Sequence, residues 1–149
     1  MDRRTIAKAF PFALGLFAAA RAEEDASAAG ESGKPKAVYH LADLDKVAFV
    51  LGNIANHYDG MGGPDKVTLA LVIHGPALKA FHAAGAEAGL ARRSAEFVKD
   101  GLELAACVHT MKAENVTLAD LLPGFTVAER GGVVRLAELQ AEGYAYLRP

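Results

Sequence analysis

Five short apolar segments alternate with helical segments between residues 37 and 149, and this alternation constrains the fold more than any other feature. The apolar segments are typical of β-strands and occupy residues 38–41, 67–73, 102–108, 125–128 and 144–147. Parallel strands need crossovers long enough to hold a helix, and the intervening segments are long enough. The sequence therefore predicts a three-layer α/β/α domain with a mainly parallel five-stranded sheet.

Helical periodicity is clearest in the segment that follows the first strand. Apolar residues recur at three- and four-residue spacing over 44–58, and the glycine-rich stretch 59–64 ends the pattern. The alanine-rich segment 77–100 contains internal glycines, so it predicts two helices or one broken helix. Further helices are predicted at 117–120 and 133–140.

The amino terminus has the layout of an export signal. Paired arginines at 3 and 4 precede an apolar run over 9–20, and the sequence Ala-Arg-Ala at 20–22 resembles a signal-peptidase site. A run of this length rises only about 18 Å as a helix, which is short of the roughly 30 Å hydrocarbon core of a bilayer. A permanent membrane anchor is therefore not expected.

These features predict three regions along the chain. We expect a twin-arginine-like signal peptide at 1–22, with cleavage after Ala22, and a flexible leader at 23–36 whose polar composition cannot bury a core. The folded domain is expected at 37–149, and the mature protein is expected in the periplasm.

Charge and motif content exclude several classes of function. The 149-residue chain has a formal net charge of −2 and no long run of Lys or Arg, so a nucleic-acid partner is not expected. The sequence contains no G-x-G-x-x-G or phosphate-loop motif, and no Ser-His-Asp order indicates a hydrolase. A single cysteine cannot form an internal disulfide or a multi-cysteine metal site. We predict no cofactor.

Three reactive side chains follow two of the predicted strands. His74 comes after the strand at 67–73, while Cys107 and His109 stand at the end of the strand at 102–108. A thiol near a histidine or a helix N-terminus can have its pKa lowered, which gives a thiolate that attacks sulfur or binds soft metals. The apolar neighbours of Cys107 are equally typical of an inert core cysteine. The residues alone leave Cys107 as core, reactive thiol or ligand.

The other histidines show no companions in the sequence. His40, His57 and His82 lie on predicted elements and are interpreted as exposed or hydrogen-bonded side chains without a shared site. The segment 107–111 holds thiolate, imidazole and thioether types that suit copper, although alternation along a strand would separate them. Copper binding is therefore a minor hypothesis.

Four segments of the chain carry a family resemblance. They read LVIHGPAL at 71–78, GLELAACV at 101–108, TLADLLPG at 117–124 and GVVRLAELQAEGYAYL at 132–147. With these segments, residues 37–149 resemble the DsrE/DsrF-like family of sulfur-relay proteins.

The resemblance implies an exported sulfur carrier or sulfurtransferase in which Cys107 accepts sulfane sulfur as a persulfide. His109 or His74 would then favour the thiolate. The resemblance also implies a homotrimer or homohexamer, with a sulfur donor or acceptor protein or a small sulfur compound as partner. The Arg-Arg-Gly that often follows the family's cysteine is replaced by the residues at 113–115, so stabilisation of an anionic persulfide is expected to be weaker here.

Two other functions remain open on the sequence. One is a non-catalytic periplasmic module that binds a small ligand or a soft metal and has a structural cysteine. The other is an assembly protein in which replacing Cys107 would cost stability alone.

Overall fold

The computed structural model describes residues 33–149, and the strands in this part of the chain form one parallel sheet. In chain order they are β1 (Lys36–Leu41), β2 (Thr68–Ile73), β3 (Glu103–Cys107), β4 (Phe125–Ala128) and β5 (Ala145–Leu147). Their order across the sheet is β4-β3-β2-β1-β5, and every pairing is parallel. Helices cover both faces, so the predicted three-layer α/β/α domain with a five-stranded sheet is confirmed.

The connections between strands contain the helices. Within the described residues the α-helices are α1 (Val47–Met61), α2 (Ala88–Lys99), α3 (Val108–Ala113) and α4 (Gly132–Ala141). Short 3-10 helices occupy Leu44–Lys46, Pro64–Lys66, Gly75–Phe81 and Leu118–Asp120. The predicted break in the segment 77–100 is confirmed, because a 3-10 helix and α2 divide it. The helix predicted at 117–120 is the last of the 3-10 helices, and its capping box joins the Thr117 and Asp120 side chains to each other's backbone.

One boundary differs from the prediction at a position that matters for the site. The apolar run predicts a strand over 102–108, but β3 ends at Cys107 and α3 begins at Val108. Cys107 has extended backbone angles (φ −67°, ψ 122°) and is the N-cap residue of α3. Hydropathy could not locate this break, because Val108 continues the apolar run into the helix.

The two faces of the sheet are covered by different helices. The larger core lies under α1 and α2, and includes Leu71, Ile73 and Leu104 from the sheet. On the opposite face, α4 packs Leu136 and Leu139 against the small core that the strands present there. The sheet residues of that smaller core are Val38, Ala70, Val72 and Ala105.

An ion pair fixes α4 to the sheet. Arg135 of α4 donates two hydrogen bonds of 2.9 Å to the carboxylate of Glu103 in β3. A bidentate arginine–carboxylate pair defines orientation as well as distance. The pair joins α4 to the amino end of β3, while Gly132 at the start of α4 lies near the carboxyl ends of β2 and β3.

The predicted signal peptide at 1–22 and the leader as far as residue 32 lie outside the described residues. The first strand of the described residues, β1, starts at Lys36. Pro35 already accepts a 2.9 Å hydrogen bond from the backbone amide of Thr68. Among residues 33–149, no helix is long and apolar enough to cross a membrane.

Candidate functional site

Several polar side chains gather where the strands end beneath α4. Alternate residues of a strand point to the same face of a sheet. Because Val38, Val72 and Ala105 face α4, the residues two positions further along the chain face α4 as well. The first lies in β1, the second directly after β2 with an extended backbone, and the third at the end of β3. Those residues are His40, His74 and Cys107. The topology therefore brings a thiol and two imidazoles to one edge of the sheet.

The two imidazoles are in direct contact. The Nε2 atoms of His40 and His74 are 2.5 Å apart, and the rings stack with centroids 4.7 Å apart and planes inclined by 28°. The other ring nitrogen of His40, Nδ1, lies 2.6 Å from the hydroxyl oxygen of Tyr146 in β5. A continuous chain of hydrogen bonds thus crosses from β5 through β1 to the end of β2.

Burial sets the protonation of this pair. The pKa of His40 is lowered to about 4, mainly by burial and then by the neighbouring His74 and Arg148, against a smaller opposing effect of Asp43. The pKa of His74 is lowered mainly by burial and then by Arg148, against a smaller opposing effect of Asp43. Both rings are therefore neutral at pH 7, and each can donate one hydrogen bond and accept another.

Cys107 lies in a closely packed corner at the start of α4. The side chain is buried, with 6% of its surface exposed. A Cβ atom placed on Gly132 would lie 3.3 Å from Cβ of Cys107 and 3.4 Å from Cβ of His74. The backbone at the start of α4 can come this close because residue 132 has no side chain.

The surroundings of Cys107 favour its ionised form. Burial is the largest single influence and raises the pKa of the thiol. The backbone amides of Gly132, Thr110 and His109, together with the Thr110 hydroxyl, act in the opposite direction and leave the pKa below its ordinary value. The side chain of Cys107 makes no capping hydrogen bond in α3. The amides therefore act on the sulfur jointly, through their electrostatic potential.

The Thr110 hydroxyl has a defined orientation. Its oxygen accepts a 2.9 Å hydrogen bond from the backbone amide of Gly75, in the loop that follows β2. A hydroxyl that accepts from one partner still has its own proton to donate. Gly75 therefore directs the Thr110 proton away from itself and leaves it available to the sulfur of Cys107.

His109 does not join the row of polar side chains. It is exposed on α3, and its ring lies against Gly131, where an added Cβ would come within 2.8 Å of Cδ2. That His109 or His74 favours the thiolate stays a prediction. The groups that lower the pKa of Cys107 are backbone amides and a hydroxyl, and no imidazole ring is among them.

His40 has companions that its local sequence does not indicate. It was interpreted as a residue without companions, and this interpretation is wrong, because His40 contacts both His74 and Tyr146. Finding it requires the strand order, since nothing local in the sequence places β1 beside β2 and β5. The other two histidines are hydrogen-bonded as expected: His57 Nδ1 lies 2.9 Å from the Tyr39 hydroxyl, and His82 Nε2 lies 2.8 Å from Glu114.

The copper ligand set suggested by the segment 107–111 is not assembled. Met111 is buried in the larger core beneath α1 and α2, whereas His109 is exposed on the surface of α3. Across the described part of the chain, no three His, Cys, Asp or Glu side chains converge in a way that would hold a metal ion.

Comparison with known proteins gives a family and a fold. A model of the DsrE/DsrF-like family matches residues 39–149. The solved structure of MTH1491, a protein of unknown function from Methanobacterium thermoautotrophicum, is 25% identical with a TM-score of 0.68, and the match covers 77% of this chain and 99% of that chain. The ychN protein from E. coli has the same fold at 11% identity and a TM-score of 0.54, over 76% of this chain and 99% of its own. No curated protein matches this chain.

Proposed function

We propose that this chain, which belongs to the DsrE/DsrF-like family, is an exported sulfur carrier or sulfur-transfer protein whose Cys107 holds sulfane sulfur as a persulfide. The family is linked to sulfur relay, and the match extends over residues 39–149. One observation carries the proposal: the only cysteine of the chain stands at the N-cap of α3 and against Gly132 at the start of α4, where nearby donors lower its pKa although it is buried.

The chemistry needs a thiolate and a donor that contains sulfane sulfur. The Cys107 thiolate attacks the outer sulfur of a persulfide or polysulfide, a new S–S bond forms, and the S–S bond of the donor breaks. The electron pair of the broken bond leaves with the donor thiolate, so no external oxidant or reductant is required. An acceptor thiolate then attacks the outer sulfur on Cys107 in the same way and regenerates the carrier.

The same donors suit the sulfur-loaded form. A persulfide is anionic near neutral pH, and backbone amides stabilise a buried anion without a full positive charge. The segment 113–115, where the family often has Arg-Arg-Gly, follows at the far end of α3, about 9 Å along the helix from Cys107. In this chain the amides of α3 and α4 are proposed to take over the stabilisation that those arginines would give.

A structural cysteine is the competing interpretation, and the burial of Cys107 is the observation that favours it. A cysteine with 6% of its surface exposed packs like a small apolar residue. In that case the protein would be a binding module or an assembly protein, and its thiol would react only after unfolding.

Release of sulfane sulfur by cyanide separates the two interpretations. The chain lacking residues 1–22 is treated with polysulfide, desalted and exposed to cyanide, which removes the outer sulfur of a persulfide as thiocyanate. A carrier releases about one sulfane sulfur per chain, a Cys107→Ser variant releases none, and an added thiol acceptor lowers the yield. Equal release from both proteins, or none from either, would contradict the proposal.

Export, periplasmic location and partners are parts of this proposal that rest on the sequence. The signal-like segment 1–22 supports export by the twin-arginine route. The proposed partners are a sulfur donor or acceptor protein or a small sulfur compound. The homotrimer or homohexamer stays a prediction.

A further inference from the structure

We infer that Tyr146, His40 and His74 form a proton relay that serves Cys107, and that the preferred sulfur donors are persulfides of ordinary thiols. This inference rests on the proposed sulfur-transfer function and deepens it. The task of the relay is to deliver a proton to the donor thiolate that leaves when sulfur moves to Cys107.

The hydrogen-bond geometry provides the path. The Tyr146 hydroxyl lies 2.6 Å from Nδ1 of His40, and Nε2 of His40 lies 2.5 Å from Nε2 of His74. With Tyr146 donating to His40 and His40 donating to His74, the free proton of His74 is on Nδ1. The three groups then form one chain with a single direction.

The ends of the path lie in different environments. Tyr146 has 41% of its surface exposed, so its hydroxyl can exchange protons with water. His74 packs against Gly132, and so does Cys107. The relay thus connects solvent at β5 with the corner that holds the buried thiol.

The electrostatic surroundings suit a relay of neutral rings. The charged groups around the pair are Arg148 and Asp43, and their effects on the imidazoles oppose each other. Arg148 and Asp43 are 3.8 Å apart and both are exposed. A neutral imidazole that gives up one ring proton regains it on the other nitrogen, so the chain can pass a proton without holding a net charge.

The relay supplies the proton that the sulfur-transfer step needs. The Cys107 thiolate attacks the outer sulfur of R–S–SH, the S–S bond of the donor breaks, and the electron pair stays on R–S⁻. His74 gives its Nδ1 proton to R–S⁻, regains a proton on Nε2 from His40, and His40 regains one from Tyr146. Water restores the Tyr146 proton. The products are Cys107–S–SH and R–SH, with one proton taken up from water. The persulfide then ionises near neutral pH and returns a proton to the solvent, so no oxidant or reductant is consumed.

The leaving group decides whether the relay matters. A thiolate is basic, with a parent thiol pKa of about 8.5, and it leaves faster when a proton is supplied. A sulfinate, the leaving group of a thiosulfonate donor, is a weak base and needs no proton. A relay should therefore accelerate transfer from a persulfide and leave transfer from a thiosulfonate almost unchanged.

The test compares the two donors in single-turnover experiments on the chain lacking residues 1–22. Sulfur loading of Cys107 is followed with cysteine persulfide and with benzenethiosulfonate for the wild type, His40→Gln and Tyr146→Phe. His57→Gln is the matched control, since His57 also hydrogen-bonds a tyrosine, Tyr39, but belongs to the other face of the sheet.

We expect His40→Gln to slow loading from the persulfide by about tenfold or more, and loading from benzenethiosulfonate by less than about twofold. Tyr146→Phe should show the same selectivity with a smaller effect, and His57→Gln should change neither rate. Equal effects of His40→Gln on both donors, or no effect, would overturn the relay alone. If the wild type accepts sulfur from neither donor, the proposed sulfur-transfer function fails, and the relay fails with it.

Discussion

Gly132, the first residue of α4, lies so close to Cys107 that a Cβ atom on it would be 3.3 Å from Cβ of the cysteine. The same added atom would lie 3.4 Å from Cβ of His74. Contacts this short require the neighbours to shift by a few tenths of an ångström. The absence of a side chain at 132 thus sets how near the amide at the start of α4 comes to the sulfur.

Gly132→Ala should raise the pKa of Cys107. The added methyl group would move the amide of Gly132 away from the sulfur and remove part of its stabilisation of the thiolate. We expect the rate of alkylation by iodoacetamide at pH 7 to fall about threefold, measured as a pH profile of the native protein. Gly52→Ala is the control, because an added Cβ at that position in α1 meets no atom within 4 Å. Identical profiles for the wild type and Gly132→Ala would contradict the role of this amide.

Thr110→Val should have a similar effect for a different reason. Valine keeps the shape of threonine but cannot donate a hydrogen bond to the thiolate, so the pKa of Cys107 should rise, whereas Thr110→Ser should restore it. The same alkylation profile measures both variants. The matched control is Thr126→Val, because the Thr126 hydroxyl donates to the carbonyl of Leu104, at 3.1 Å, and not to the cysteine. A serine variant that behaves like the valine variant would argue against hydroxyl donation.

The His40–His74 pair should make the protein less stable in mild acid. The folded-state pKa of His40 is about 4, below its ordinary value of 6.5, so the unfolded chain binds more protons between these values. The free energy of unfolding should therefore fall as the pH drops from about 6.5 to about 4. Because the ring is only partly buried, screening by water reduces the effect of His40 to about 1 kcal/mol.

Urea unfolding at pH 7 and near pH 4.5 measures this dependence. The His40→Gln variant removes the group that titrates and should lose less stability between the two pH values than the wild type loses. His57→Gln, which leaves the pair intact, should follow the wild type. An unchanged pH dependence in His40→Gln would show that this histidine does not keep a lowered pKa in the folded protein.

The sequence could predict the layers of the fold and part of the site. Strand-like runs separated by helical periodicity were sufficient for the parallel sheet, and the ends of β2 and β3 placed His74 and Cys107 at the same edge. The contribution of His40 and Tyr146 could not be predicted, because these residues are 106 positions apart and meet only when β5 pairs with β1. The backbone amides that lower the pKa of Cys107 could not be predicted either, because residue type does not show where a backbone amide will lie.

The intact mass of the folded chain lacking residues 1–22, recorded under non-reducing conditions, tests the central claim most directly. The wild type and Cys107→Ala are measured as isolated and after exposure to polysulfide. A persulfide carrier gains the mass of one or more sulfur atoms, loses them on addition of a reductant, and shows no gain in the alanine variant. A wild-type chain that stays unmodified, with a thiol that resists alkylation until the protein is unfolded, would contradict sulfur transfer and identify Cys107 as a structural residue.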